Sequence, residues 1–138
     1  MQKVIIDTNV IVSALISKGI PSKIINELVL NEKVQICTSD KIVEEYIEVL
    51  GRDKFAKFSK FKVNADIVIS VISELAIRHN PTKKINLLKD LDDNKFLELA
   101  FELEVDFIIT GNSNDFNIQK IGNTLIVSPT EYWNNHRP

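Results

Sequence analysis

Four acidic residues stand where this chain could do chemistry. Asp7 directly follows the apolar run Lys3–Ile6 and opens Asp7-Thr8-Asn9 ahead of a helical pattern. Glu45 lies in the helical stretch Asp40–Leu50, and Asp93 near the start of the stretch Asp92–Glu104. Asp115 ends the turn-rich segment Thr110-Gly111-Asn112-Ser113-Asn114-Asp115. Each has a plainer reading by itself, because Asp, Asn and Thr cap helices and nucleate turns, and a first-turn acid favours the helix dipole. Together they differ from four separate caps. Clustered carboxylates repel and perturb one another's protonation, which a fold tolerates mainly by binding hard cations. Mg²⁺ and Mn²⁺ take oxygen ligands, commonly a few carboxylates with waters and substrate phosphates. Such a site activates water and stabilises phosphodiester cleavage.

Helical geometry sorts the acids further. On Asp40–Leu50, at about 100° per residue, Ile42, Val43, Tyr46, Ile47, Val49 and Leu50 form one apolar arc. Glu48 points away from that arc and Glu44 lies off its edge, whereas Glu45 sits beside Val49 at the boundary and could reach a cleft. On Asp92–Glu104, Phe96, Leu97 and Ala100 follow Asp93 at +3, +4 and +7, so Asp93 begins the buried stripe. A carboxylate there must be protonated, paired or metal-bound; simple capping by Asp92 or Asp93 is the other reading.

The elements that must position these groups alternate in type. Lys3–Ile6, Val34–Thr38, Phe107–Thr110 and Thr124–Val127 are continuous apolar runs of the kind buried in a parallel sheet. Asn9–Ile16, Ser22–Leu30, Asp40–Leu50, Ala65–Arg78 and Asp92–Glu104 carry helical periodicity. Asn80-Pro81 marks a break, with Thr82–Asp90 extended or loop. Short helices are expected at Asp115–Gln119 and Pro129–Asn134. This alternation predicts an α/β fold, a three-layer α/β/α sandwich around a mostly parallel sheet of four or five strands. In such folds ligands bind beyond the carboxyl ends of the strands, where strand order reverses.

Composition bounds the rest. The 138 residues, with 44% hydrophobic and 26% charged, suit one globular domain spanning 1–138. One cysteine, Cys37, forms no internal disulfide and no thiolate zinc site, and His79 and His136 are too few for a histidine-rich one. The N-terminal apolar run is too short for a signal peptide, and Ile67–Ile77 is too short to span a bilayer, so a soluble, cytoplasmic protein without a membrane partner is expected. No Walker A loop or Gly-x-Gly-x-x-Gly occurs. An EF-hand reading of Asp90–Phe101 fails at Lys95 and Phe101. The formal charge of −2 speaks against a nucleic-acid partner. With the four candidate acids set aside as one pocket, 17 basic residues face 15 acidic ones.

Arg52–Lys62 carries Arg52, Lys54, Lys57 and Lys60 interleaved with Phe55, Phe58 and Phe61. As a helix this gives a basic face and an aromatic face. The lysines are either a solvated surface or a rim for RNA phosphates, and the rings either core or a surface for a partner. Tyr132 and Trp133 are likewise core or interface.

The order Val4-Ile5-Ile6-Asp7-Thr8-Asn9, then Glu45-Tyr46, then Asp93-x-x-Phe96-x-x-x-Ala100, then Thr110-x-Asn112-x-x-Asp115-Phe116 resembles the PIN-domain ribonucleases, which include the VapC-like toxins. Ser39–Tyr46 followed by Leu50–Phe55 is similar to a subgroup of toxin–antitoxin components. The resemblance implies a Mg²⁺- or Mn²⁺-dependent endoribonuclease acting on RNA, with Asp7, Glu45, Asp93 and Asp115 as its catalytic quartet. Asp7 and Asp93 would hold the metal, with Asp115 and Glu45 completing its shell, and Thr8, Thr110 and Asn112 would support the site. It further implies a homodimer and a small antitoxin partner. Relatives in the subgroup often carry Asp where Asn112 stands, and Leu91 replaces a frequent Pro. Two other readings stay open: a non-catalytic RNA- or protein-binding module on the same fold, and a receiver-like phospho-acceptor domain centred on one Asp. The second explains neither Glu45 nor the Thr110–Asp115 loop.

Overall fold

The four apolar runs form the middle of one sheet. A computed structural model describes residues 1–88, 90–113 and 116–138. Its strands are β1 (Lys3–Ile6), β2 (Gln35–Thr38), β3 (Ile77–Arg78), β4 (Phe107–Ile109), β5 (Lys120–Ile121) and β6 (Thr124–Val127). They are ordered β3-β2-β1-β4-β6-β5, with every pair parallel except β5 with β6. Val4 is in register with Ile36 on one side and Phe107 on the other, and Ile109 with Val127. Because β1 is covered on both faces, Val4, Ile5 and Ile6 are all fully buried, the reason its sequence is continuously apolar rather than alternating.

Among the described residues six helices flank this sheet: α1 (Thr8–Ile16), α2 (Ile20–Lys23), α3 (Asp40–Leu50), α4 (Phe61–Leu75), α5 (Asn94–Leu103) and α6 (Pro129–Asn135). The expected α/β architecture with a mostly parallel central sheet is present. The chain runs outward from β1 through β2 to β3, then returns to the other side of β1 as β4. Strand order therefore reverses between β1 and β4, and the crevice at their carboxyl ends is where such a fold binds ligands. Asp7 directly follows β1, and Thr110 directly follows β4.

The sheet has six strands rather than four or five, because two short ones carry little sequence signal. The helix expected at Ala65–Arg78 begins at Phe61 and ends at Leu75. Ala76 turns extended, and Ile77–Arg78 pairs with Cys37–Thr38 as an exposed edge strand ahead of the Asn80-Pro81 break. No helix forms over 116–119, and Asp115 lies outside the described residues. Instead Lys120–Ile121 folds back on Thr124–Leu125 through a Gly122-Asn123 turn, with Gly122 at φ +56, a conformation a Cβ would strain. The stretch expected as one helix at Ser22–Leu30 starts earlier, with Pro21 in the first turn of α2, and widens into a π-helical turn at Ile24–Val29. That turn buries Ile24, Ile25, Leu28 and Val29 together.

Arg52–Lys62 is not one helix with two faces. A single 3₁₀ turn at Asp53–Phe55 follows α3, and Lys60 takes a left-handed conformation (φ +60) before α4 starts. The aromatic residues still turn inward: Phe55 and Phe61 are buried with their rings stacked 4.7 Å apart, and Phe58 leans on Phe61 at 6.4 Å. Lys54, Lys57 and Lys60 are exposed. Ile47, expected in the buried arc of α3, is 56% exposed. Tyr132 is core: it is fully buried, packs edge-on against Phe107, and its hydroxyl donates to Gln2 Oε1 at 2.6 Å. Among the described residues no helix is long and apolar enough to cross a membrane.

Candidate functional site

Asp7 occupies the N-cap position of α1, yet its carboxylate makes no capping hydrogen bond. It turns across the sheet instead, accepting from Thr110 Oγ1 at 2.7 Å and from Asn9 Nδ2 at 3.2 Å. The backbone reinforces this, since Asp7 N–H donates to the Ile109 carbonyl at 2.9 Å. Only 6% of Asp7 is exposed. Burial raises its pKa above the usual carboxylate value, the Thr110 hydroxyl pulls it back, and repulsion from Glu45 raises it again.

Asn9 is the clamp of this corner, and sequence reasoning read it only as a capping residue. Its Nδ2 donates to Asp7, while its Oδ1 accepts from Gly111 N–H at 2.9 Å. Thr110 Oγ1 in turn accepts from Asn112 N–H at 3.1 Å. Asn112 thus enters through its backbone, and the residue itself is exposed.

Glu45 is the acid of α3 that reaches the site. Ser39 starts that helix by accepting from Ile42 N–H at 3.2 Å. Tyr46, fully buried, donates its hydroxyl to the carbonyl of Ile6, which ties α3 to the end of β1. Burial holds the Tyr46 hydroxyl protonated, well above its ordinary pKa, so it stays a donor. Half-buried beside it, Glu45 accepts at Oε2 from Thr8 Oγ1, and its Oε1 pairs with Lys95 Nζ at 2.7 Å. Glu44 is exposed, and Glu48 pairs with Arg52 at 2.8 Å on the surface. Lys95 is a second residue that sequence reasoning missed: it sits two positions after Asp93, on the helix facing α3.

Asp93 ends a 3₁₀ turn (Leu91–Asp93) that leads into α5. Capping of that turn falls to Asp90, whose Oδ1 accepts from Asp92 N–H at 3.0 Å; Asp93 makes no capping bond. The plain capping reading of Asp93 is therefore not what the structure shows. Asp93 is half-buried at the head of the stripe Phe96, Leu97 and Ala100, all fully buried. Its pKa rises to about 7, first through burial, then through the negative charges of Asp7, Asp90 and Glu45, against the opposing pull of Lys95. Asp93 therefore stands close enough to Asp7 and Glu45 to feel the charge of both.

The structure thus brings together Asp7, Thr8, Glu45, Asp93 and Thr110 and adds Asn9 and Lys95. Asp115 lies outside the described residues. Arg52 lines a groove of about 640 Å³ together with Lys41, Glu45, Lys84, Asp92 and Lys95. Lys54, Lys57 and Lys60 lie outside the residues lining it. Among the described residues no three His, Cys, Asp or Glu side chains are gathered as a ready metal cage. The donor chemistry nonetheless suits a hard cation. Mg²⁺ is commonly held by one or two carboxylates with waters completing its octahedron, and here neighbouring carboxylates are balanced by the ammonium of Lys95, 2.7 Å from Glu45 Oε1.

Comparison with known proteins agrees with this arrangement. A family model described as the PIN domain matches residues 3–114, which contain every strand and helix that builds the site. An uncharacterized protein of Methanocaldococcus jannaschii is 34% identical over 135 residues, covering 93% of this chain and 86% of its own length. With its site at the reversal point of a parallel sheet and this match along most of its length, the chain belongs to the PIN-domain family.

Proposed function

We propose that this chain is a metal-dependent endoribonuclease that hydrolyses RNA phosphodiester bonds, since PIN domains are generally nucleases that typically use divalent metals. The observation that carries this reading is the gathering of Asp7, Glu45 and Asp93 beyond the carboxyl ends of β1 and β4, with Thr110 and Thr8 donating to the first two and Lys95 paired with Glu45. Asp7 and Asp93 would hold Mg²⁺ or Mn²⁺, and Asp115 would add a third carboxylate. The cation would supply Lewis acidity toward a phosphate and a bound water of lowered pKa. The chain's own residues do the orienting. Thr110 and Asn9 fix the Asp7 carboxylate, Tyr46 and Thr8 hold Glu45 at the rim, and Lys95 balances the cluster while the cation is away.

The test is cleavage of a single-stranded RNA in Mg²⁺ or Mn²⁺ by the wild type and by Asp7→Asn and Asp93→Asn. Loss of cleavage in both variants with retained circular dichroism supports the reading. Undiminished cleavage in both overturns the site assignment, and RNA binding without cleavage by the wild type under every cation replaces the reading with a non-catalytic binding module. On the family resemblance, we further propose that the chain is the toxin of a toxin–antitoxin pair, a cytoplasmic homodimer silenced by a small antitoxin. Co-expression with the product of the adjacent reading frame and sedimentation of the purified protein test those two points.

A further inference from the structure

The chain from Pro81 to Leu88 has no regular secondary structure, yet its backbone is strapped to one stripe of α5. Asn94, Glu98 and Glu102 stand four residues apart, so they share one helix face. Asn94 Oδ1 accepts from Leu88 N–H at 3.0 Å, and Glu98 Oε2 accepts from Ile85 N–H at 2.9 Å. Glu102 Oε2 accepts from both Thr82 N–H (2.9 Å) and Lys83 N–H (2.8 Å), while its Oε1 lies 2.8 Å from His79 Nε2. The strap thus runs antiparallel to α5, its backbone donors met at each turn by acceptors of the helix, two of them carboxylates. Bonds donated to ionised acceptors are the stronger kind. Leu88 is buried and Ile85 packs against the core beneath the strap.

In sequence the strap comes just before Asp90–Asp93, and Asn94 both follows Asp93 and holds Leu88. The same segment gives Lys84 and Asn86 to the wall of the groove. We propose that Glu98 and Glu102 are positioning residues: by fixing the strap along α5 they set where Asp93 stands relative to Asp7, and how wide the groove beside them is. The inference rests on the reading of Asp93 as a cation ligand. It assigns a functional consequence to two carboxylates far along the helix from the chemistry.

The experiment compares Glu98→Ala and Glu102→Ala with Glu98→Gln and Glu102→Gln, which keep an acceptor oxygen. Two readouts need no cleavage: amide hydrogen exchange at Lys83 and Ile85, and binding of Mn²⁺ alone by electron paramagnetic resonance. Expected in the Ala variants is faster exchange at those amides and Mn²⁺ binding weaker by about tenfold, the scale of lost support to a metal site. The Gln variants should stay within about twofold of wild type. Exchange that rises while Mn²⁺ affinity holds would make the strap a mere tether and overturn the inference, as would amides that stay protected. If the wild type binds Mn²⁺ and cleaves RNA while the Ala variants match it, the inference fails and the nuclease reading survives. If the wild type neither binds Mn²⁺ nor cleaves RNA, both fall.

Discussion

Thr110 Oγ1 donates to Asp7 Oδ2 at 2.7 Å, joining residues 103 apart in sequence across the carboxyl ends of two neighbouring parallel strands. The bond selects the ionised form of a buried carboxylate and fixes its direction. Thr110→Val keeps the shape and removes the donor. We expect it to destabilise the protein by about 1–3 kcal/mol, the usual cost of stranding a buried partner. The loss should be larger at pH 8 than at pH 5, because without the hydroxyl the already raised pKa of Asp7 rises further. Urea unfolding at the two pH values measures this, and an equal loss at both would refute it.

Asp93 gives a second pH effect of definite sign. Its pKa is about 7 in the folded chain against an ordinary value of 3.8. A raised acid contributes stability that is fully present below about pH 4 and lost as pH climbs through about 7. The metal-free protein should therefore lose stability from this group between those values. Asp93→Asn, which cannot ionise, should be the more stable protein at pH 8, with the gap closing toward pH 4. Screening of a half-exposed carboxylate limits the gap to about 1–2 kcal/mol. Mn²⁺ should stabilise the wild type at pH 8 and leave Asp93→Asn nearly unmoved in a thermal melt, since only a ligand that binds the folded form shifts its stability.

What the sequence made legible follows from how local each signal is. The apolar run Lys3–Ile6 placed Asp7 at a strand end, and the spacing of Phe96, Leu97 and Ala100 placed Asp93 at the head of a buried stripe. Both signals lie within one element. Lys95 was invisible because its partner, Glu45, stands on another helix. Asn9 hid inside a capping motif, although its bonds run to Asp7 and to Gly111. The two-residue strand Ile77–Arg78 continued a helical pattern, so only the Asn80-Pro81 break signalled its end. Gly122-Asn123 was a readable hairpin turn between Ile121 and Thr124. In Arg52–Lys62 the spacing of three fits a 3₁₀ turn better than the 3.6-residue α-helix, and the chain must reverse there to pass from α3 to α4.

Lys95 competes with any cation for the same acidic corner. Replacing it by Met keeps an unbranched side chain and removes the ammonium, which pairs with Glu45 and lies 5.7 Å from the Phe96 ring centroid. Mn²⁺ binding should tighten by about fivefold, the worth of roughly 1 kcal/mol for one unit charge a few ångströms away. Without metal, the Lys95→Met protein should be less stable than wild type at pH 8, since Glu45 and Asp93 both lose their compensating charge. Calorimetric titration with Mn²⁺ and a metal-free thermal melt read the two effects separately. Weaker Mn²⁺ binding would show instead that Lys95 supports the site.

Gly111 tests whether the Asn9 clamp matters to function rather than to folding. A Cβ at residue 111 would stand 3.2 Å from Asn9 Oδ1, the atom that accepts the Gly111 N–H. Gly111→Ala therefore presses on a side chain near the surface that can shift by a few tenths of an ångström, and Asn9 Nδ2 moves away from Asp7 as it does. Global stability should fall by less than about 1 kcal/mol, within the range of substitutions that open no cavity and bury no unpaired charge. RNA cleavage should fall about tenfold or more, as small displacements of positioned groups do. Asn9→Ala removes the same clamp without crowding and should reproduce the loss of cleavage. If Gly111→Ala lowers cleavage and Asn9→Ala does not, the cause lies in the loop after β4 and not in the hold on Asp7.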